Sequence, residues 1–262
     1  MPIVDFSLEG KVALITGGSK GIGRATALAY AENGADVAIA SRGKEELEAT
    51  AKEIEAHGRR VIAVPTNIGN EDELRALYEQ TVSELGGVDI LINNAAYAKA
   101  QPMEEITPKD FERGMRINVA SALLLSQLCR QSMLQRGGGV IVHVSSDDCL
   151  RPSTGIGIYS TAKAALVHLA KHMAAEWGPD GIRVLAVSPG LVRTYMARGI
   201  CKYVEAQGDK AKLNPLKNKV GEPEEIAGAL LLAASPAGAY LNGGNIVLDG
   251  GTQALSPVQI DW

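Results

Sequence analysis

Cysteine and aromatic side chains are scarce in this 262-residue chain: three Cys in all, and Phe, Trp and Tyr together only 4%. Cys129, Cys149 and Cys201 are odd in number and widely spaced. They form neither a disulfide framework nor a CxxC metal pattern, so a reducing compartment is expected. With so few rings, the interior must be built from Ala, Val, Ile and Leu. Apolar residues reach 46%, enough for a large core without covalent staples. An excess of positive charge is also missing, and a net charge of −4 argues against a nucleic-acid-binding or membrane-surface role. The opening MPIVDFSLEG has no basic stretch and reads as no targeting signal. The longest apolar stretch, around 226–234, is far short of the roughly 18 residues that span a bilayer. The expectation is a soluble, cytoplasmic protein.

What is present is a rhythm. KVALIT (11–16), ADVAIA (35–40), RVIAV (60–64), VDILIN (88–93), GVIVHV (139–144), IRVLAV (182–187) and NIVLD (245–249) each read as a short buried strand. Between them lie amphipathic helical segments, among them KEELEATAKEIEAHG, EDELRALYEQTVSELG and a long stretch from about Glu105 to Arg136. This alternation predicts an α/β fold: a Rossmann-type, doubly wound, parallel seven-stranded sheet with helices on both faces. No linker or repeat interrupts it, so residues 1–262 are expected to form one domain. Only 195–220 breaks the pattern, with Gly199, Gly208 and Pro215 dividing weakly amphipathic pieces. Such an insertion is either a lid over a ligand crevice or a solvated surface excursion.

The first strand runs into Thr16-Gly17-Gly18-Ser19-Lys20-Gly21-Ile22-Gly23, followed by a helical run ended by Asn33-Gly34. Glycines here allow a sharp turn and close approach to a pyrophosphate, with the N–H groups of the helix start facing the anion. The spacing is GxxxGxG, not GxGxxG. A carboxylate at the end of the second strand would favour NAD, and cations there NADP. This chain has Ser41-Arg42 at that point, with Lys20 in the glycine turn. The alternatives are a 2′-phosphate site and two ordinary surface cations; the charges favour NADP(H).

Tyr159 and Lys163, four apart in GIYSTAKAALVHLAKHMAAEWG, share one helix face. The pair alone is weak evidence, but GVIVHV ends in Ser145-Ser146, at the strand edge where open parallel sheets bind ligands. A serine to polarise a carbonyl, a tyrosine to supply its proton and a lysine to acidify that tyrosine would make a reduction site.

Taken together, TGGSKGIG at 16–23, NNAA at 93–96, Asn118 in RINVAS, Ser146, Tyr159-x-x-x-Lys163, Ser188-Pro189-Gly190 with Thr194, and LDGG at 248–251 resemble the short-chain dehydrogenase/reductase family, across about residues 8–251. The resemblance implies Tyr159 as general acid or base and Ser146, thirteen residues before it, as the carbonyl-polarising hydroxyl. It implies that Lys163 holds the nicotinamide ribose and that Asn118 holds a relay water. Cofactor contacts implied are Gly17, Ser19, Lys20, Gly21, Ile22, Gly23, Ser41, Arg42, Asn67, Ile68, Asn94, Ala95, Ala96, Tyr159, Lys163, Pro189, Gly190, Val192 and Thr194. It further implies a small carbonyl or alcohol substrate, and assembly as a homotetramer or homodimer.

The chain departs from the family at NNAA, at Asn67-Ile68, and at Asp147-Asp148-Cys149 after the serine. Those two acids either line the pocket and favour a polar or cationic substrate, or face solvent or Arg151. The four histidines have no metal-ligand spacing, and no metal is expected. A 3-oxoacyl thioester reductase, a polyol or steroid dehydrogenase and a non-catalytic NADP sensor stay open. The YxxxK spacing favours C=O over C=C chemistry.

Overall fold

A computed structural model describes residues 3–208 and 213–255. All seven predicted strands form: β1 (Val12–Thr16), β2 (Asp36–Ser41), β3 (Val61–Pro65), β4 (Ile90–Asn93), β5 (Gly139–Val144), β6 (Ile182–Pro189) and β7 (Asn245–Leu248). They make one sheet in the order β3-β2-β1-β4-β5-β6-β7, with every neighbouring pair parallel. The chain winds outward from β1 to β3, then returns to β4 on the other side of β1. This reversal opens a crevice at the C-terminal ends of β1 and β4, where such sheets bind ligands.

β1 and β4 are buried along their whole length, as expected of strands covered on both faces. The covering helices are α1 (Gly21–Glu32), α2 (Lys44–Glu55), α3 (Glu71–Leu85), α4 (Pro108–Met115), α5 (Ser121–Gln135), α6 (Gly157–Trp177), α7 (Arg198–Gln207) and α8 (Pro223–Ala234). Alternate strand residues feed two cores. Ile15 and Ile39 pack with Tyr30, Leu47 and Leu230 from α1, α2 and α8. Leu14 and Leu91 pack with Leu77, Leu125 and Met173 from α3, α5 and α6. Tyr30 is fully buried, and its hydroxyl donates to the Leu230 carbonyl at 2.8 Å. Without that bond the buried phenol would cost about 1–3 kcal/mol, so it fixes α1 on α8.

The helix ends follow local chemistry. Gly34, after the Asn33 cap of α1, has a φ of +101°, which favours glycine. Asn70 caps α3 by accepting from the Asp72 and Glu73 N–H groups. The helical stretch expected from 105 to 136 is instead broken. A 3₁₀ turn at Met103–Glu105 is followed by a capping box between Thr107 and Asp110, with Pro108 opening α4. A π turn, Arg116–Ala120, then joins α4 to α5. Such wide turns often mark functional sites, and Asn118 lies in this one.

Part of the 195–220 segment, 209–212, lies outside the described residues. The rest includes α7, anchored by ion pairs from Arg193 to Glu205 and Glu222. Tyr195, Met196, Ile200, Tyr203 and Leu216 are exposed on it. Among the described residues, no helix is long and apolar enough to cross a membrane.

Candidate active site

The glycine turn between β1 and α1 is held open by contacts that exclude side chains. Gly17 has a φ of +69°, and a Cβ there would lie 2.7 Å from the Asn94 amide nitrogen. A Cβ on Gly23 would run into the Gly17 carbonyl and the same amide. Asn94 donates to the Thr16 carbonyl at 2.9 Å, while the Asn94 and Ala95 N–H groups donate to the Thr16 hydroxyl at 3.0 and 3.1 Å. The ends of β1 and β4 are thus tied together beside the cradle. Ser19 is braced from α2, where the Thr50 hydroxyl donates to its carbonyl at 3.3 Å. Thr194 closes the other side, its methyl 3.1 Å from where a Cβ on Gly21 would stand. Ile22 packs against the first core. Ile68 and Ala95 line a cleft with Thr16, Asn93 and Asn118. Asn67 accepts from the Gly69 N–H at 3.1 Å and is braced by Glu73, and Ala96 follows Ala95 along the same segment. At the end of β2 the Ser41 hydroxyl oxygen is buried without a partner among the described residues. Arg42 is exposed, with no ion-pair partner among the described residues.

Ser146, Tyr159 and Lys163 converge at the C-terminal end of β5. Ser146 and Tyr159 are close enough for the serine hydroxyl to favour the tyrosinate. The Lys163 ammonium lies 5.5 Å from the Tyr159 ring centroid and donates to the Val144 carbonyl at 2.5 Å. Ser145 acts on the scaffold instead, for its hydroxyl donates to the Lys163 carbonyl at 2.8 Å and ties β5 to α6. Asn118 bonds the Tyr97 backbone in both directions, accepting from its N–H at 2.8 Å and donating to its carbonyl at 2.9 Å. That fixes the chain after Ala95 and Ala96 against the π turn. Pro189 ends β6, Gly190 donates to the Leu248 carbonyl at 2.9 Å, and Val192 bridges to Gly221.

The family model described as enoyl-(acyl carrier protein) reductase matches residues 17–253. The chain is similar to a short-chain type dehydrogenase/reductase from Mycobacterium marinum, with 38% identity, a TM-score of 0.88 and coverage of 95% of this chain and 98% of that one. This chain is a short-chain dehydrogenase/reductase. A curated relative of this oxidoreductase, D-threitol dehydrogenase of Mycolicibacterium smegmatis, is 34% identical over 247 residues, 94% of each chain. L-sorbose reductase from Gluconobacter frateurii, solved with NADPH and L-sorbose, is 30% identical with a TM-score of 0.90, covering 96% of this chain and 100% of that one.

Burial dominates the electrostatics of this short-chain dehydrogenase/reductase around Tyr159 and Lys163. Tyr159 is pushed up to about 12, chiefly by burial, against the Ser146 hydroxyl and with Asp148, Asp147 and Cys149 adding to the rise. The lysine is buried, its ammonium is spent on the Val144 carbonyl, and loss of hydration brings it down to about 8.

Asp147 and Asp148 face inward. The Ser146 hydroxyl lies 3.3 Å from a carboxylate oxygen of each, and Asp148 is held by the Ser153 N–H at 3.0 Å. Among the described residues, Arg151 pairs with neither. Four residues near the site were not picked out from the sequence: Glu46, Tyr97, Tyr195 and Arg198. Glu46 holds Lys20, and both Lys20 and Arg198 approach the Tyr195 ring, at 5.0 and 3.9 Å from its centroid. Among the described residues no cluster of three or more His, Cys, Asp or Glu is placed to hold a metal.

Proposed function

We propose that this oxidoreductase interconverts a ketone and a secondary alcohol with NADP(H). The observation that carries the reading is the convergence at the sheet edge of Ser146, at the end of β5, with Tyr159 and with Lys163, whose ammonium lies 5.5 Å from the tyrosine ring. The residues present fit the cofactor. The glycine cradle has no room for a Cβ at Gly23, Ser41 offers a buried hydroxyl without a partner among the described residues, and Arg42 is an exposed cation beside it. Gly17, Gly21, Asn94 and Ala95 would flank the pyrophosphate and ribose, Arg42 with Ser41 the 2′-phosphate, and Gly190, Val192 and Thr194 the nicotinamide end.

The bound nicotinamide supplies or accepts the hydride. Ser146 donates to the substrate oxygen and stabilises its developing charge. Tyr159 delivers the proton to that oxygen in reduction and takes it back in oxidation. Tyr159, pushed up to about 12, holds its proton at neutral pH until a substrate oxygen that gains charge during reduction draws it off. Lys163 would hold the ribose hydroxyls once turned from Val144. Asn118, through Tyr97, would fix the floor of the site. The 195–220 segment would act as lid, since Thr194 already sits against Gly21 and Tyr195 against Lys20.

The inward-facing Asp147 and Asp148 favour substrates with hydroxyl or ammonium donors near the carbonyl and oppose anionic ones. Polyol-type ketones fit that environment better than carboxylate-bearing ones.

The test is NADPH oxidation, followed by absorbance, across hydroxy-ketones, amino-ketones, cyclic ketones and 3-oxoacyl thioesters. Tyr159→Phe should lower turnover by about 10²–10⁴-fold while cofactor binding is kept. A variant as active as the wild type would remove the tyrosine from the mechanism.

A further inference from the structure

Lys20 is one of the two cations expected to meet a 2′-phosphate, yet it is already engaged. Its ammonium lies 2.8 Å from a carboxylate oxygen of Glu46 and 5.0 Å from the centroid of the Tyr195 ring. Glu46 is in the first turn of α2, whose N-cap is Gly43 and which has no side-chain cap. The other Glu46 oxygen folds back onto Gly43, into the space a Cβ at that position would fill. The exposed N–H groups of a helix start favour an anion, and Glu46 supplies one from within the chain. Its own backbone N–H and Lys20 both stabilise the carboxylate, holding Glu46 below its ordinary range. The pair joins the β1–α1 turn to the first turn of α2, just after Ser41 and Arg42, and the Ser41 hydroxyl is buried without a partner among the described residues.

We infer that the Glu46 carboxylate is an internal stand-in for the cofactor's 2′-phosphate, competing with it for Lys20. This rests on the NADP(H) reading above. Binding a 2′-phosphate then requires Lys20 to leave Glu46, or Arg42 and Ser41 to carry the phosphate with Lys20 held back. Discrimination between NADP(H) and NAD(H) is therefore weaker than two free cations would give. A nucleotide without the 2′-phosphate leaves the Lys20–Glu46 pair undisturbed.

Glu46→Gln keeps the shape and removes the charge, and its exposed position makes misfolding no concern. The full chain is titrated by calorimetry with adenosine 2′,5′-bisphosphate and with adenosine 5′-monophosphate, using wild type, Glu46→Gln, Lys20→Met and the double variant. The charge-removed protein should bind the bisphosphate about two- to fivefold more tightly, the scale of an exposed ion pair, with the monophosphate unchanged. In the Lys20→Met background that gain should vanish. Weaker bisphosphate binding by Glu46→Gln would mean that Glu46 positions Lys20 for the phosphate, and would overturn the competition. Equal binding, or a gain that survives loss of Lys20, would overturn it too. Wild-type protein that binds NADPH no better than NADH, with Arg42→Ala changing neither, would instead defeat the NADP(H) reading itself, and the inference with it.

Discussion

Replacing Asp147 by Asn removes a charge that the folded chain holds at a cost. Burial first, and then the Asp148 carboxylate, push Asp147 from its ordinary 3.8 up to about 6, with Asp249 adding and the Ser146 hydroxyl opposing. A carboxyl raised on folding favours the folded state in its protonated form. That contribution is complete below about pH 4 and is lost as the pH rises through about 6. At pH 8 the ionised Asp147 therefore leaves the protein less stable than a neutral residue would. Two pKa units at 1.36 kcal/mol each give a ceiling of roughly 3 kcal/mol, and solvent screening at this half-buried position reduces it to about 1–2 kcal/mol. Each kcal/mol moves the melting temperature of a chain this long by about 2–4 °C. Asp147→Asn should thus melt about 2–8 °C above the wild type at pH 8, and the difference should close towards pH 4. Thermal melts at one protein concentration test this with any assembly equilibrium held fixed. An equal gap at both pH values would show that the amide packs better for reasons unrelated to charge. A lower melting temperature at pH 8 would mean that Asp147 is compensated, and would refute the placing of uncompensated negative charge beside Ser146.

Arg42→Ala should raise the KM for NADPH about tenfold, the scale of one charge-assisted hydrogen bond, and leave that for NADH unchanged; steady-state titration of both would reject the assignment if the two rose together. Gly23→Ala should abolish detectable NADPH binding by calorimetry and cost about 1–3 kcal/mol of stability, because the new methyl meets the Gly17 carbonyl. Wild-type affinity in that variant would show that the cradle gives way.

The strands were legible because each is a short run of mostly apolar residues bounded by polar or glycine residues, a pattern that survives without tertiary knowledge. Only the inner strands are buried nearly throughout, and β3 and β7 are partly exposed. The break in the helix before Asn118 was missed although part of its signal was present. Thr107, Pro108 and Asp110 are a helix start written in the sequence, whereas the π turn at Arg116–Ala120 has no local code. The inward aim of Asp147 and Asp148 was equally hidden, since it depends on the 3₁₀ turn Asp147–Cys149 that turns both back onto Ser146. Lys20 and Glu46 could have been paired in advance: β1 and β2 are parallel neighbours, with Thr16 opposite Ala40, so the turns that follow them must lie side by side.

Four residues apart on a helix places two side chains on one face, but it does not say which partner each will prefer. Here Lys163 prefers the Val144 carbonyl, and burial rather than the ammonium governs Tyr159. The chain thus arranges acid, hydroxyl and cation in proximity without yet lowering the tyrosine. In alcohol oxidation the charge of the oxidised nicotinamide would have to do that. The same two carboxylates raise the energy of the state with deprotonated Tyr159, which is the product of the reduction step and the reactant of the oxidation step, so Asp147 and Asp148 would couple substrate preference to the proton affinity of the tyrosine.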